Sequence, residues 1–291
     1  MEKTCDLHAH SYYSDGSLSP AQLVEAAQEA GLSAVVLSDH NTVAGLREFV
    51  AAAENTSVEA VPAIEFSTEY QGSELHILGL FVLPENFAPV GQVLEQFLIR
   101  KEKSNRSLIA ALNAAGMALD YDAIAAKAAG RINRAVIAEE MVRLGYCESV
   151  KDAFSRYLKV SCGYYVPPQR PDAFETIRFI KSLGCAAVLA HPFLNLQEAQ
   201  LRELLPEAKA AGLDAMEVYY SRYDEKTTAL AKKIAAEYGI LESGGSDFHG
   251  TAKPDISLGT GTGDLHIPLT ILEKLKNCAP NAKFVTSDRK L

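Results

Sequence analysis

The chain has 291 residues, 48% of them hydrophobic and 22% charged, with 19 glycines and 12 prolines. This balance supports a large buried core and excludes a disordered or fibrous chain, and the length suits one α/β barrel of ~200 to 250 residues carrying an insertion. The formal net charge of −9 excludes a general duplex-binding surface, because neutralising a phosphate backbone needs concentrated Lys and Arg.

The N-terminal stretch MEKTCDLHAH has no apolar leader core, and no uninterrupted apolar run approaches the ~20 residues that cross a bilayer. Cys5, Cys147, Cys162, Cys185 and Cys278 form neither a CxxC pair nor a framework spacing, so reduced thiols, a cytoplasmic location and no membrane partner are expected. Short apolar runs then alternate with amphipathic segments in a βα rhythm. Strands are expected at 4–8, 34–39, 59–64, 75–82, 186–191, 214–220 and 239–245. The first helix should start at the N-cap Ser19, with Pro20 in its first turn and Gln22 completing a capping box, and stop at Gly31. Further helices are expected near 42–54, 172–183, 197–211 and 224–238.

From about 88 to 158 the strand signal gives way to helical periodicity, with segments around Val90 to Leu98, 121–128, 133–144 and 149–158. The stretch ends in GYYVPPQRP, whose prolines forbid a helix. The expected organisation is an α/β barrel of residues 1–87 and 166–291 interrupted by an all-helical insertion, 88–165. Residues 100–170 carry 12 basic and 7 acidic side chains, a net of +5, which leaves −14 elsewhere. A basic helical face is the plain account of that split; a cap that offers cations to a phosphate is the functional one.

Six of the seven histidines, His8, His10, His40, His76, His191 and His249, fall at or beside predicted strand ends. Five of the six are at the C-terminal end, where an α/β barrel projects catalytic groups. Asp15, Glu65 and Asp247 join them. A lone strand-end histidine is usually structural, but imidazoles and carboxylates gathered from several strand ends form the N/O field that suits Zn, Mn or Fe. Nine such groups exceed what one ion can hold. The i, i+2 spacing of His8 and His10 lets both side chains face one ion. His266, outside this pattern, reads as a surface residue.

The ordered motifs DLHAHSYYSDG, SDHNT, AIEFS, LHILGL, AHP and GGSDFHG resemble those of the polymerase and histidinol phosphatase (PHP) superfamily of metal-dependent phosphoesterases. The resemblance implies a distorted, TIM-like (β/α)7 barrel holding two or three divalent ions, manganese by expectation, with zinc or iron as alternatives. It implies that His8, His10 and Asp247 hold one ion, His76 and His191 a second, with Glu65 bridging, and Asp15, His40 and His249 a third. Glu65, Asp247 and His191 would be the residues closest to catalysis. Two cations ~3.5 to 4 Å apart can lower the pKa of a bridging water enough to present hydroxide near neutral pH, and no protein general acid is named. Asp6 and Asp39 could accept hydrogen bonds that fix imidazole tautomers.

The chain departs from the family pattern at Asn41, often Asp, at Phe193, often Gly, and at Cys162, where relatives carry Lys shortly before YVP. The position of the insertion and the closing YVPPQ resemble a subgroup that acts on nucleoside 3′,5′-bisphosphates and on short oligonucleotides from the 5′ end. Within RINRAV, Arg134 is the implied phosphate contact and Asn133 its neighbour, and the lysine that relatives carry is either missing or replaced by Lys159. The expected activity is removal of the 3′-phosphate from a nucleoside 3′,5′-bisphosphate, a small phosphorylated partner. The alternatives are a 5′–3′ exonuclease, a histidinol-phosphate-type monophosphatase and a non-catalytic metal-binding module. The sequence does not set the oligomeric state.

Overall fold

A computed structural model describes residues 3–128 and 132–287. The chain divides into two compact units, Met1–Gly91 with Pro171–Leu291, and Gln92–Arg170, boundaries a few residues later than the sequence pattern suggested.

The first unit is built on one seven-stranded sheet in the order β1 to β7: β1 Cys5–Asp6, β2 Ala34–Leu37, β3 Glu59–Tyr70, β4 Ser73–Leu80, β5 Ala186–Ala190, β6 Ala215–Tyr220 and β7 Leu241–Gly245. The sheet curls into a nearly closed barrel. Leu7 N–H donates to Gly244 O (3.3 Å), Asp247 N–H to His8 O (2.9 Å) and His10 N–H to Phe248 O (2.9 Å), joining the first strand segment to the last. Cys5, Leu7, Val36, Val61, Ala63, Leu78, Leu80 and Val188 pack with Ile271, Leu272 and Leu275 in one buried cluster. Glu65 continues the same strand face two residues beyond Ala63.

Helices α1 (Pro20–Glu29) and α2 (Leu46–Ala53) connect the first three strands. Ser19 caps α1 as expected, its hydroxyl accepting from Gln22 N–H and its own N–H donating to Gln22 Oε1. The βα rhythm then breaks. β3 runs to Tyr70, well past the expected end at 64, and turns through Gln71 and Gly72, both at positive φ (48° and 78°). A two-residue turn with φ > 0 at both positions matches strand twist and makes a hairpin. β4 is therefore antiparallel to both β3 and β5, while the other pairs are parallel. This reversal brings the first half of β4, with His76, to the end where the parallel strands finish.

The second unit takes up most of α3 (Phe87–Ala114) and contains α4 (Tyr121–Lys127), α5 (Arg134–Arg143) and α6 (Val150–Ala153). The expected helix over 149–158 stops being α-helical at Ala153 and continues as a π-type turn, Phe154–Leu158. Leu108, Leu112, Ile124, Ile137, Met141 and Leu158 form this unit's own core. Arg131, the first residue of RINRAV, lies outside the described residues. In the first unit α7 (Ala173–Ser182), α8 (Glu198–Ala211), α9 (Glu225–Tyr238), α10 (Leu269–Lys276) and α11 (Ala282–Ser287) complete the chain. No helix among the described residues is long and apolar enough to cross a membrane.

Two stability predictions follow from close contacts. A Cβ added at Gly245 would sit 2.1 Å from His8 Cβ and 2.6 Å from His8 N, so the backbone must part. Gly245→Ala should cost about 1 to 3 kcal/mol, the range for overpacking, read as a lower urea midpoint. Asn133 Oδ1 caps α5 by accepting from Val136 N–H at 2.9 Å; Asn133→Ala should cost ~1 kcal/mol. An unchanged midpoint in either variant contradicts the corresponding contact.

Candidate metal centre

Glu65 is fully buried on β3 and its two oxygens divide the histidines between them. Oε1 lies 2.8 Å from His76 Nδ1 and 3.2 Å from His191 Nε2, whereas Oε2 lies 2.9 Å from His40 Nδ1 and 3.3 Å from both His8 Nε2 and His10 Nε2. The strand pairing explains part of this. His76 sits opposite Ser67, and Ser67 shares a face with Glu65, so the two side chains meet diagonally.

Asp247 Oδ1 approaches His10 Nε2 (3.3 Å), His249 Nδ1 (3.4 Å) and His8 Nε2 (3.7 Å). Asp15 Oδ1 lies 3.2 Å from His249 Nε2, and its Oδ2 3.9 Å from His40 Nε2. All nine residues singled out in the sequence therefore meet at one end of the barrel. Their donor atoms form overlapping groups within 4.8 Å: His10, Asp15, His40 and His249; His8, His10 and Glu65; His40, Glu65 and His76; and His8, His191 and Glu217. The first contains the expected set Asp15, His40 and His249 with His10 added. In the third, His76 groups with His40, where the resemblance paired it with His191.

Several of these atoms are close without being hydrogen-bonded. Asp15 Oδ1, His40 Nδ1, Glu65 Oε2, His76 Nδ1 and His191 Nδ1 are buried and have no hydrogen-bond partner, although His40 and His76 each approach a Glu65 oxygen within 3 Å. Buried polar atoms left this way are costly, and a cation held among them satisfies carboxylate and imidazole lone pairs together. The residues fit divalent metal.

The electrostatics agree. Burial alone would raise the Glu65 carboxyl, but the neighbouring His40, His76, His8 and His10 outweigh it and hold it well below the usual carboxylate range. Asp247 is likewise held well down against its burial by His10, His8, His249 and Lys253. Burial pulls His10 and His76 down, yet Asp247 and Glu65 raise His10 to about 9, and Glu65 and Glu74 raise His76 to about 10. A pocket that draws protons onto imidazoles is a pocket of negative potential, and the same field attracts a divalent cation.

Backbone strain accompanies the cluster. His191 (φ 27°), Asp247 (φ 56°) and Asn41 (φ 51°) adopt left-handed conformations, each costing roughly 1 to 3 kcal/mol outside glycine. Each is held by a bond: His191 N–H to Glu217 Oε2 (2.6 Å), Asp247 N–H to His8 O (2.9 Å) and Asn41 N–H to Glu65 O (2.9 Å). Asparagine tolerates this region better than most residues, and the Asn41 amide both accepts from Ser67 N–H (3.0 Å) and donates to Ser67 Oγ (2.9 Å). Aspartate could keep the second contact only by accepting from the Ser67 hydroxyl. Phe193 N–H donates to Tyr223 Oη (2.9 Å) and its ring packs edge-on against Tyr223.

Asp6 and Asp39 act differently from the tautomer-fixing role considered for them. Asp6 accepts from backbone N–H groups of His8, Ser246 and Gly259, and Asp39 from Ser11 N–H, Ser11 Oγ and Ser14 Oγ. They tie loops together. The carboxylate beside His8 Nδ1 is Glu217, at 3.0 Å, which sequence reading missed. The available signal was a glutamate in the middle of an otherwise apolar strand. Lys253, also missed, reaches Asp247 Oδ2 at 2.6 Å.

Arg134, Asn133 and Lys159 belong to the second unit. The half-buried Arg134 guanidinium lies over Tyr165 (4.4 Å to the ring centroid) and donates to Leu158 O at 3.3 Å. Lys159 is exposed, Cys162 packs its sulfur against Ser155 O, and His266 is exposed.

The family model of the PHP domain matches residues 6–170. A 5′-3′ exoribonuclease of Haemophilus influenzae is 33% identical over 250 residues, covering 86% of this chain and 91% of the relative. A 3′,5′-nucleoside bisphosphate phosphatase of Chromobacterium violaceum is 28% identical over 247 residues, covering 84% and 86%. Among solved structures, a metal-dependent phosphoesterase from Bifidobacterium adolescentis superposes with a TM-score of 0.82 at 26% identity, covering 95% of this chain and 96% of that one. Ordered motifs, barrel and donor cluster agree with these matches: the chain belongs to the PHP family and is a metal-dependent phosphoesterase.

Proposed function

We propose that this phosphoesterase hydrolyses the P–O bond at the 3′ oxygen of a nucleotide that carries a 5′-phosphate, acting on nucleoside 3′,5′-bisphosphates. The observation that carries the reading is the buried Glu65 carboxylate shared between two sets of imidazoles. In this reading His8, His10 and Asp247 would hold one ion, His76 and His191 a second, Asp15, His40 and His249 a third, and Glu65 would supply negative charge to the first two. Such ions lower the pKa of water and neutralise phosphoryl oxygens. The protein's own part is to fix the donors, keep the carboxylates ionised and hold the substrate; no side chain is assigned as general acid.

A second reading, a 5′–3′ exoribonuclease, is favoured by the Haemophilus relative at 33% identity. The two reactions are chemically close. Releasing a 5′-terminal nucleotide as its 5′-monophosphate breaks the same P–O3′ bond, in a diester where the bisphosphate offers a monoester. The discriminating assay presents a 3′,5′-bisphosphonucleotide, a 5′-phosphorylated short oligoribonucleotide and p-nitrophenyl phosphate to the Mn²⁺-supplemented protein. Inorganic phosphate plus nucleoside 5′-phosphate from the first, at the highest kcat/KM, supports the main reading; stepwise mononucleotide release at higher efficiency supports the second. A preference for p-nitrophenyl phosphate would leave the plain monophosphatase.

Metal analysis after incubation with Mn²⁺ should give two or more ions per chain, and Glu65→Gln should reduce that number because it removes the shared charge. One ion or none in the unmodified protein contradicts the multinuclear site. Arg134→Ala should lower kcat/KM for the bisphosphonucleotide by about 1.5 to 3 kcal/mol, or about 10- to 150-fold, while sparing p-nitrophenyl phosphate. Equal losses on both substrates would assign Arg134 to the reacting phosphate or to the fold.

A further inference from the structure

β6 supplies none of the nine proposed ligands, yet two of its side chains reach three of them. Glu217 is fully buried; Oε1 lies 3.0 Å from His8 Nδ1, and Oε2 accepts the His191 N–H at 2.6 Å. Tyr220, also buried, donates its hydroxyl to Asp247 Oδ2 at 2.9 Å, and its ring packs on His191 with centroids 5.2 Å apart. Residues three apart on a regular strand face opposite sides. Here they do not, because β6 carries a bulge: Glu217 pairs with Ser243 and Tyr219 with Gly244, leaving Val218 as the extra residue, so that Tyr220 pairs with Gly245. Ser243 and Gly245 share a face, and the bulge therefore puts Glu217 and Tyr220 on one side. Bulges of this kind re-aim side chains beside active sites.

We infer that Glu217 and Tyr220 are positioning residues for the metal centre, brought to the same face by the β6 bulge. Glu217 accepts the His8 Nδ1 proton and so leaves Nε2, which faces Glu65, His10 and Asp247, as the ligating nitrogen. Its other oxygen holds the His191 backbone in its left-handed conformation. One carboxylate thus ties a ligand of the first proposed ion to a ligand of the second. Tyr220, together with Lys253, occupies Asp247 Oδ2 and leaves Oδ1 toward His8 and His10, which makes Asp247 a one-oxygen ligand. Partners that orient ligands in this way typically contribute 10- to 100-fold to metal affinity.

The inference rests on the ligand assignment proposed above, and the test separates the two. Mn²⁺ binding is measured by calorimetry and elemental analysis on the full chain and on Glu217→Gln and Tyr220→Phe, with thermal unfolding as the control for folding. Glu217→Gln keeps the shape but offers an amide N–H₂ where a carboxylate oxygen accepted. The expected result is 10- to 100-fold weaker Mn²⁺ binding with the number of ions at saturation unchanged, and a smaller weakening in Tyr220→Phe. If Glu217→Gln fails to fold, Tyr220→Phe decides: weakened binding supports the inference and native affinity overturns it. Native affinity in a folded Glu217→Gln also overturns it. Loss of one ion at saturation overturns it in another way, making Glu217 a ligand in the His8, His191 and Glu217 group. If the unmodified chain binds no Mn²⁺, the ligand assignment itself fails.

Discussion

The arrangement depends on one electrostatic constraint: a fully buried carboxylate, Glu65, faced by five imidazoles from four chain segments. Burying one unpaired charge is prohibitive, and burying several ionisable groups together is tolerable only if their charges balance. Here the negative side consists of Glu65, Asp247, Asp15 and Glu217, and the imidazoles are neutral unless they take up protons. His8, His10 and His76 are all driven upward by the carboxylates against their burial. Protons and divalent cations therefore compete for the same nitrogens, and binding metal releases protons from them. The barrel end is built for positive charge that the polypeptide does not itself provide in full.

The fold solves the geometric half of this problem with a reversal, a close approach and local strain. A wholly parallel barrel would place His76, in the first half of β4, away from the other ligands; the hairpin at Gln71 and Gly72 turns β4 round and brings it among them. Gly245 lets β7 approach the His8 backbone more closely than any side chain would permit. Left-handed residues at His191 and Asp247 then turn the chain where strands end, and the strain is offset by hydrogen bonds from the same cluster. Ligand placement and strand geometry are thus one problem, and a change at either is felt at the other.

Most of the nine clustered residues are legible in the sequence because they sit in short local motifs: two histidines one residue apart, Asp39 with His40, His191 with Pro192, and Asp247 two before His249. Glu65 was found as well, although for a partly wrong reason, since it lies within β3 and not after its end. What local pattern could not show is pairing across the sheet. The antiparallel direction of β4 depends on positive φ at Gln71, a residue with no special preference for it. The role of Glu217 depends on a bulge at Val218 that is defined only against β7. Asp6 and Asp39 stand beside histidines in the sequence, which suggests tautomer-fixing acceptors, but their donors are backbone groups and serines, several of them from distant segments.

The basic insertion shows why a charge count is weaker than a contact map. A third of its basic side chains are met within the unit: Lys127 and Arg143 pair with Glu140, Arg106 with Glu102 and Asp122, and Arg156 with Asp152. These are exposed pairs of little energetic consequence, but they compensate one another electrostatically. Arg134 differs. Among the described residues it makes no ion pair; its guanidinium lies against Tyr165 and Phe154 and reaches the carbonyl of Leu158. A guanidinium stacked on an aromatic face loses little further freedom when it binds and keeps most of its N–H donors for an anion. The net charge of the insertion therefore says less than where each cation sits, and Arg134 sits on aromatic rings with no acidic partner among the described residues.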